Sequence, residues 1–456
     1  MLFSWGFDLL VAVAGASGFI GKNLIKELVS SHKIRGLSRS DRDPSANLEW
    51  KSTDLFSFES TDEAMRGSEV GIFLVHSMLP SSRLFQGNFQ DTDLMLADNF
   101  AQACVKNNIK QIIYLGGLVP TSGISKHLAS RKEVEDVFKS TKIPLTILRA
   151  GMVVGDGGSS FEILKNLVLN LPGMILPQWT KSNTQAIFIE DLTSVIGESI
   201  GNEKYFNKTI DVVNGEKISY KELMRQTAEG LGRKTIMLPV PINYTSFSKL
   251  WVRIFGETDY ELVSPLIDSL LCDLPHPSTP EEISHLIKFK TYKSMLNAIS
   301  RTKVKKKKAK KNFGPKNVRS IQRLSNPGKL SQSRISEEYV HWLPEYLRSF
   351  IRAEKNDDEI DFLINGLNKP LLKLSKIEDK NELDRIKFHI VGGLLVQDKE
   401  SGWLEFRLVA NGKYTLVSIN DFVPSLPWYL YKYTQAPFHS KVMNAFGKYL
   451  ERMSQK

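Results

Sequence analysis

The sequence predicts an α/β fold, in which a doubly wound parallel sheet is followed by a smaller α+β domain. Short apolar runs alternate with helical stretches up to about residue 215, as expected for parallel strands that are covered on both faces. A glycine-rich turn follows the first apolar run, and a lysine run divides the chain. We therefore predict residues 1–300 to be one domain with a helical cap, residues 301–315 a basic linker, and residues 316–456 a second domain.

The first domain is predicted to contain seven strands with helices between them. The strands cover Leu9–Ala14, Lys33–Ser38, Leu48–Ser52, Val70–Val75, Gln111–Leu115, Leu145–Leu148 and Ile210–Val213. The helices cover Gly21–Ser31, Phe89–Asn107, Ala129–Ser140 and Phe161–Asn170. Beyond them the pattern is largely helical, with Ser219 as a predicted N-cap and Gly232 as a predicted stop. The stretches Tyr244–Phe255 and Tyr260–Leu271 are expected to cover the carboxyl edge of the sheet.

The second domain is predicted from a hairpin and an amphipathic helix. Three antiparallel strands are expected at Lys387–Val396, Trp403–Val409 and Tyr414–Asp421, with Asn411-Gly412 as the turn between the last two. The final helix carries a predicted buried face at a spacing of four residues, formed by Phe438, Val442, Phe446 and Leu450. A curved antiparallel sheet that holds a long C-terminal helix is the fold that this pattern indicates.

Composition argues against several classes of protein. Of the 456 residues, 41% are hydrophobic and 24% are charged, which is typical of a globular domain protein. The two cysteines, Cys104 and Cys272, exclude a disulfide scaffold and have no metal-ligand spacing, so we expect no metal site and favour the reducing cytoplasm. The sequence contains no run of about 18 uncharged apolar residues, so we predict no membrane span.

The net charge of +11 is concentrated in one segment. Eight positive charges lie between Arg301 and Lys311, and without them the net charge would be +3. A segment such as Lys305–Lys311 is able to attract nucleic acid or an anionic membrane surface. Since no aromatic residues are interleaved with the lysines, as they are in single-strand binding grooves, we predict a solvated, flexible tether and no specific nucleic-acid partner.

The residues around the first turn predict a dinucleotide site. The segment reads Val11-Ala-Val-Ala-Gly15-Ala-Ser17-Gly18-Phe19-Ile20-Gly21-Lys-Asn-Leu and lies between an apolar strand and a helix. Glycines allow the tight turn and let backbone N–H groups approach a pyrophosphate, whose charge the helix N-terminus favours. We predict that residues 15–21 hold a dinucleotide.

This motif resembles that of the extended and atypical short-chain dehydrogenase/reductases, epimerase-like and NmrA-like proteins with a Rossmann-type fold and the glycine pattern GxxGxxG. The resemblance covers about residues 8–300 and includes Leu74-Val-His-Ser-Met78 and Ile189-Glu-Asp191. It implies that Asp54 and Leu55 lie near the adenine of a bound dinucleotide. It also implies that Val75, His76 and Ser77 lie along the ribose and phosphates. The other interpretation of Asp54 is a turn or helix cap.

The end of the second predicted strand decides between NADPH and NADH. An acidic residue there binds the ribose 2′-OH of NADH, whereas an arginine accommodates the 2′-phosphate of NADPH. The sequence has Leu37-Ser-Arg39-Ser40, in which Arg39 offers a planar fork to a phosphate and Ser40 a further donor. We predict that the site binds NADPH. The nearby carboxylate of Asp41 is the feature that favours NADH. The alternative for Arg39 is a solvated surface charge.

The usual catalytic pattern of the resembled family is absent. Those reductases use Tyr-x-x-x-Lys with an upstream serine, whereas the matching positions here hold His127 and Arg131. His127 is a candidate proton donor, since imidazole titrates near neutral pH, and Arg131 would hold the cofactor ribose or tune the imidazole. The alternative is that His127 is structural and the active site has decayed. Tyr114 and Ser130 are weaker candidates, because neither falls at a matching position.

The second domain resembles an uncharacterised domain appended to some bacterial epimerase-like reductases, itself similar to helix-grip (START-like) ligand-binding folds. The resemblance covers roughly residues 316–456 and includes Gly392-Gly-Leu-Leu-Val396 and Gln435-Ala-Pro-Phe-His439. It implies an apolar cavity lined by Trp403, Phe422, Trp428 and Tyr431, with His439 and Glu405 as polar groups. The other interpretation is that these aromatic residues are core.

Three functional hypotheses follow. The first is a cytoplasmic NADPH-dependent oxidoreductase or epimerase-like enzyme whose second domain presents or sequesters an apolar substrate. The second is a non-enzymatic NADPH-binding regulator that reports redox state. The third is an adaptor that attaches to a membrane surface or nucleic acid through the lysine run. Turnover that depends on His127 separates the first from the second.

Overall fold

The computed structural model describes residues 9–77, 84–120, 123–171, 173–241, 245–256, 267–270, 273–275, 277–299, 317–348, 350–367, 369–377, 384–398 and 401–455. The predicted linker 301–315 with its lysine run, Met78, Cys272 and most of the predicted helix Tyr260–Leu271 lie outside these residues. The chain divides into two compact units, Met1–Leu79 with Leu96–Lys307, and Pro80–Met95 with Lys308–Lys456. The second unit therefore includes a segment, residues 80–95, that the predicted domain boundaries place in the first domain.

Strands and helices are numbered along the whole chain. The strands are β1 (Leu10–Ala14), β2 (Lys33–Ser38), β3 (Leu48–Ser52), β4 (Val70–Phe73), β5 (Leu84–Gln86), β6 (Gln111–Gly117), β7 (Leu145–Ala150), β8 (Met152–Val154), β9 (Gly173–Leu176), β10 (Asn183–Thr184), β11 (Ala186–Phe188), β12 (Lys208–Val212), β13 (Ile218–Ser219), β14 (Ile236–Pro239), β15 (Val318–Ser325), β16 (Ile351–Asn356), β17 (Glu359–Ile364), β18 (Pro370–Ile377), β19 (Arg385–Gly392), β20 (Trp403–Val409) and β21 (Tyr414–Phe422). The helices are α1 (Phe19–Leu28), α2 (Phe58–Met65), α3 (Phe89–Lys106), α4 (Lys126–Ser140), α5 (Ser159–Asn170), α6 (Ile189–Ser199), α7 (Tyr220–Gly230), α8 (Thr245–Phe255), α9 (Tyr292–Ala298), α10 (Gln332–Tyr346), α11 (Trp428–Tyr433) and α12 (Gln435–Met453).

The seven predicted strands form one parallel sheet in the first unit, in the order β12-β7-β6-β4-β1-β2-β3. The doubly wound prediction is thereby confirmed. The strand order reverses between β1 and β4, and such a switch point is where open α/β sheets bind ligands at their carboxyl edge. Val11 of β1 and Leu192 of α6 lie in the core on one side of this sheet. A further core, which includes Phe161 of α5 and Leu223 of α7, lies among the cap helices.

Helix α7 begins and ends where the local sequence predicts. The Ser219 hydroxyl accepts the backbone N–H of Glu222 and caps α7. Gly232 follows this helix with a φ of +66°, a conformation that glycine adopts without strain. Among the described residues, no helix combines the length and apolar character needed to cross a bilayer.

The second unit is built on an eight-stranded sheet in the order β16-β17-β18-β19-β20-β21-β15-β5. Its neighbours pair antiparallel from β16 to β15, and the three predicted strands are confirmed as β19, β20 and β21. Helices α10 and α12 contribute to the core of this sheet, where the rings of Tyr339 and Phe446 lie 5.1 Å apart. The structure thus has a mixed sheet with a long C-terminal helix, and its relation to helix-grip folds stays a prediction.

Strand β5 is the edge of this second sheet and pairs parallel with β15, with Leu84 opposite Val318. The Asp91 carboxylate accepts a hydrogen bond from Arg323 Nε at 2.7 Å, which joins residues far apart in sequence. A three-residue strand carries too little apolar periodicity to be recognised in sequence. Sequence reasoning did not predict β5 for this reason, and the predicted domain boundaries stay a prediction.

Several predictions for the second domain change in the structure. Phe422 and Tyr431 belong to the core, with ring centroids 6.2 Å apart, and the side chain of Trp428 lies outside the described residues. Glu405 is buried and accepts a hydrogen bond from Arg407 Nε at 2.6 Å, so it forms an ion pair and not an isolated polar group in an apolar pocket.

The predicted buried face of the final helix is confirmed for Val442, Phe446 and Leu450, whereas Phe438 is 52% exposed. Four residues advance a helix by about 400°, so each step drifts by about 40° and Phe438 lies about 80° from Phe446.

Candidate functional site

The glycine turn lies at the carboxyl end of β1, and its geometry requires glycine. Gly15 has a φ of +87°, and the Gly18 N–H donates a hydrogen bond to the Gly15 carbonyl at 3.0 Å. A Cβ atom on Gly21 would lie 2.4 Å from the Gly15 carbonyl oxygen, so only glycine lets α1 approach the turn this closely. Ser17, Phe19 and Ile20 are half-buried in the same turn.

The start of α1 fits an anionic group. Gly18 is its N-cap and supplies no side-chain hydrogen bond, so the first amides of the helix keep their capacity to donate to a ligand. The end of β4 lies beside the turn, because a Cβ atom on Gly15 would be 3.2 Å from the Leu74 carbonyl carbon. The structure therefore brings the predicted residues Val75, His76 and Ser77 to the same sheet edge as the glycines.

Hydrogen bonds from the side chains of Asp54 and Asn99 stabilise the loop after β3. The Asp54 carboxylate accepts the backbone N–H of Phe56 at 3.2 Å, which is the turn role given above as its other interpretation. The buried Asn99 amide donates to the carbonyls of Leu55 and Phe56 at 2.8 and 3.0 Å. The carboxylate of Asp54 has a structural partner, and its contact with adenine stays a prediction.

The end of β2 carries one more arginine than sequence reasoning singled out. Arg39 and Ser40 are exposed, as a phosphate-binding pair must be. Arg42 Nε donates to the Ser38 hydroxyl at 3.2 Å, and its guanidinium lies 5.1 Å above the Trp50 ring. The sequence signal that was available for this contact is Arg42, a second cation three residues after Arg39, together with Trp50 on the neighbouring strand. The stacking itself depends on the pairing of β2 with β3.

Two histidines meet at the carboxyl edge of the sheet. His76 follows β4, and His127 lies in the first turn of α4. Their Nε2 atoms are 2.7 Å apart, and the rings lie at 15° to each other. One ring therefore donates a proton to the other. Sequence reasoning assigned His76 to the cofactor and did not predict this pair.

Both imidazoles are held in the neutral form. Burial, followed by the positive charge of Arg131, lowers the pKa of His127 to about 4. Burial, followed by the charges of Arg131 and His127, lowers the pKa of His76 well below its ordinary value. At neutral pH the pair is uncharged, and each ring has one N–H group and one acceptor nitrogen.

Arg131 is positioned by the ends of two strands. Its guanidinium donates to the Val75 carbonyl at 3.1 Å and to the Leu115 carbonyl. It also lies 5.1 Å from the centre of the Tyr114 ring, and the Tyr114 hydroxyl donates to the Arg131 carbonyl. Both roles predicted for Arg131, holding the cofactor ribose and tuning the imidazole, stay predictions. Tyr114 and Ser130 are fully buried.

A cavity of about 170 Å³ lies next to His127 in the first unit. Gly117 at the end of β6 and Ala150 at the end of β7 line it on the sheet side. Apolar side chains form most of its wall, among them Ile163, Leu164, Leu167, Trp179 and Met224. The residues described in this lining include no Lys, Arg, Asp or Glu. Val252 and Ile267, which lie in the stretches predicted as a cap, also line this apolar pocket. The described part of the chain holds no group of three or more His, Cys, Asp or Glu side chains suited to a metal ion.

A glycine turn beside the switch point of a parallel sheet defines a dinucleotide-binding α/β protein. Residues 15–169 match a family described as NAD(P)H-binding. The N-terminal part of this chain is therefore similar to NAD(P)-binding proteins of the NmrA-like and epimerase-like short-chain dehydrogenase/reductase type.

Relatives of this part are distant. The auxiliary protein GraX of Staphylococcus aureus is 27% identical over 110 residues, which cover 24% of this chain and 36% of GraX. The UDP-glucose 4-epimerase of Vibrio cholerae is 23% identical over 295 residues, which cover 58% of this chain and 88% of the epimerase.

Two solved structures share the fold. A nucleoside-diphosphate-sugar epimerase of Staphylococcus aureus has a TM-score of 0.51 at 17% identity and covers 63% of this chain and 99% of its own. The triphenylmethane reductase of Citrobacter sp., complexed with NADP(H), has a TM-score of 0.50 at 19% identity with the same coverage of both chains. At these identities the likeness establishes the fold alone.

Proposed function

We propose that this protein is an NADPH-dependent oxidoreductase that reduces a neutral, largely apolar substrate in the cavity of the first unit. The observation that carries the proposal is the position of His127 at the wall of this apolar cavity. The bound dinucleotide would supply the hydride. The amides around Gly15 and Gly18 would hold its pyrophosphate, and Arg39 its 2′-phosphate. The cytoplasmic location predicted from the cysteine content belongs to this proposal.

The chemistry of the cavity separates this proposal from a sugar-nucleotide epimerase. A diphosphate that enters a site without cationic partners loses its hydration and gains no ion pair. The polar side chains in the described lining are hydroxyl groups, the Trp179 indole and the His127 imidazole, and none of them is a lysine or an arginine. A neutral molecule gains about 25 cal/mol for each Å² of apolar surface buried there. The cavity therefore favours a neutral ketone or a similar unsaturated group.

The cofactor preference is tested at Arg39. The change Arg39→Ala is expected to weaken NADPH binding by roughly 10- to 100-fold, since a hydrogen bond to a charged group contributes about 1.5–3 kcal/mol. NADH binding should not change, because NADH lacks the 2′-phosphate. The measurement is a fluorescence titration of each nucleotide. Arg233→Ala, at another exposed arginine, is the matched control. Equal losses for both nucleotides would contradict the assignment of Arg39.

The reaction class is tested by NADPH oxidation with acetophenone, 4-acetylbenzoate and UDP-glucose. Acetophenone is expected to be reduced, whereas its carboxylate analogue and the sugar nucleotide should neither react nor bind. Ile163→Trp places a larger ring at the half-buried cavity wall and should lower kcat/KM for acetophenone by about 10-fold or more through overpacking. NADPH affinity should be preserved.

Val105→Trp is the control for the Ile163 variant, since Val105 is 46% exposed on α3. Tight binding of UDP-glucose would overturn the substrate class. Failure of neutral ketones of several sizes to support NADPH oxidation would overturn the assignment as a reductase.

A further inference from the structure

One end of the sheet in the second unit carries a group of exposed apolar side chains. The antiparallel register places the starts of β16, β18 and β20 and the ends of β17, β19 and β21 at this end. Large apolar side chains in the segments next to these strand ends are between 49% and 74% exposed, namely Phe350, Leu367, Leu394, Tyr429, Tyr433 and Phe438. We call this group the apolar end.

Hydrogen bonds join the segments that carry the apolar end. The Asn365 N–H donates to the Phe350 carbonyl at 3.0 Å, which connects the turn after β17 to the start of β16. The Leu394 N–H donates to the carbonyl of Pro370, the first residue of β18, at 2.9 Å. The Ser425 hydroxyl donates to the Leu394 carbonyl at 2.6 Å, and Ser425 lies three residues before α11. The exposed side chains therefore belong to adjoining segments.

Helix α11 is attached to the core through one side and presents aromatic rings on the other. Tyr431 is buried, with its ring 6.2 Å from that of Phe422. Tyr429 and Tyr433 lie two positions before and after it, about 200° around the helix, and both are exposed. Lys432 Nζ lies 5.6 Å from the centre of the Tyr433 ring. The exposed face of α11 thus combines aromatic rings with a cation.

This grouping distinguishes the apolar end from ordinary exposed apolar residues. Single apolar side chains are common on protein surfaces, whereas a connected group marks a surface that binds another molecule. Ile377, at the opposite end of β18, is also exposed and illustrates the first case.

The charges around the apolar end are mainly positive. Its segments cover residues 345–350, 364–370, 393–402 and 423–441. Their described cations are Arg348, Lys369, Lys432 and Lys441, all of which are exposed. Their described carboxylates are those of Glu345 and Asp398, and Asp398 accepts a hydrogen bond from the Ser401 hydroxyl at 2.9 Å. An anionic surface therefore complements the apolar end.

We propose that the apolar end binds an anionic membrane surface. Its apolar side chains enter the boundary between lipid headgroups and acyl chains, and its lysine and arginine side chains contact the lipid phosphates. Tyrosine suits this boundary, because its ring is apolar and its hydroxyl stays in contact with water. A second copy of this chain fits less well, since it would bring the same cations together. The inference is independent of the proposed reductase function.

The proposal is tested by co-sedimentation of the full-length protein with lipid vesicles, without nucleotide. We expect binding to vesicles of equal parts phosphatidylcholine and phosphatidylglycerol, weaker binding to phosphatidylcholine alone, and weakening by added salt. Leu394→Ser and Tyr433→Ser should each lower the affinity for the mixed vesicles about 10-fold, which corresponds to about 1.4 kcal/mol. Ile377→Ser is the matched control and should keep the wild-type affinity.

A further variant separates the apolar end from the lysine run, in which serine replaces the lysines from Lys305 to Lys311. This protein should still bind the mixed vesicles, and Leu394→Ser should weaken it as in wild type. Complete loss of binding in the serine variant, or wild-type affinity in both Leu394→Ser and Tyr433→Ser, would overturn the proposal. Absence of vesicle binding would also overturn it. A dimer in analytical ultracentrifugation that Tyr433→Ser dissociates would then identify a second copy as the occupant.

Discussion

Replacement of His127 by alanine is expected to lower kcat for a neutral ketone by about 10²- to 10⁴-fold, which is the usual contribution of a positioned proton-transfer group. The imidazole bridges His76 and Ser269, so its removal interrupts this hydrogen-bonded path between them. NADPH affinity should be retained, because the pyrophosphate turn lies on another element. Steady-state kinetics combined with nucleotide titration of the same preparation measures both quantities.

The control for this variant is His285→Ala, which removes an exposed histidine of the same unit. We expect wild-type kinetics from it. If His127→Ala keeps the wild-type kcat, the imidazole is structural and another group transfers the proton. If the wild-type protein binds NADPH but turns over no ketone, the non-enzymatic regulator becomes the better hypothesis.

The change Gly21→Ala is expected to weaken NADPH binding by about 100-fold, which corresponds to about 2.8 kcal/mol. The added Cβ would lie 2.4 Å from the Gly15 carbonyl oxygen and 2.7 Å from the Ala16 Cα, both of which are backbone atoms. The helix must move away from the turn, and its first amides lose their alignment with the pyrophosphate. Such overpacking also lowers the free energy of unfolding by about 1–3 kcal/mol. Nucleotide titration and denaturant unfolding measure the two effects.

Gly197→Ala is the matched control, since Gly197 lies inside another helix, α6. A Cβ there would be 3.4 Å from the Leu28 Cδ2 atom, which is ordinary van der Waals contact. We expect unchanged NADPH affinity and equal or greater stability, because alanine is favoured over glycine within helices by about 1 kcal/mol. Retained NADPH affinity in Gly21→Ala would show that the turn does not hold the nucleotide.

The sequence by itself determined the parallel sheet, the glycine turn and the NAD(P)-binding class. Each depends on residues that are close in sequence. The apolar run of β1 makes a buried strand, and glycines at 15, 18 and 21 permit a tight turn against a helix that other residues would not. The cap of α7 by Ser219 is equally local, since the side chain bonds an amide three residues away. Backbone sterics and short-range hydrogen bonds act wherever these residues occur, so their outcome can be predicted without the fold.

Only the tertiary structure decided which side chains form the site. His76 and His127 are 51 positions apart, and Ser269 lies 142 positions beyond His127. The pairing of β4 with β6 and the packing of the helices that follow the sheet bring these three residues together. Neither contact produces a local pattern in the sequence. The same holds for β5, whose partner β15 lies more than 200 positions away. Contacts of this kind depend on long-range packing, in which the position of each side chain is set by the whole unit and not by its neighbours in the chain.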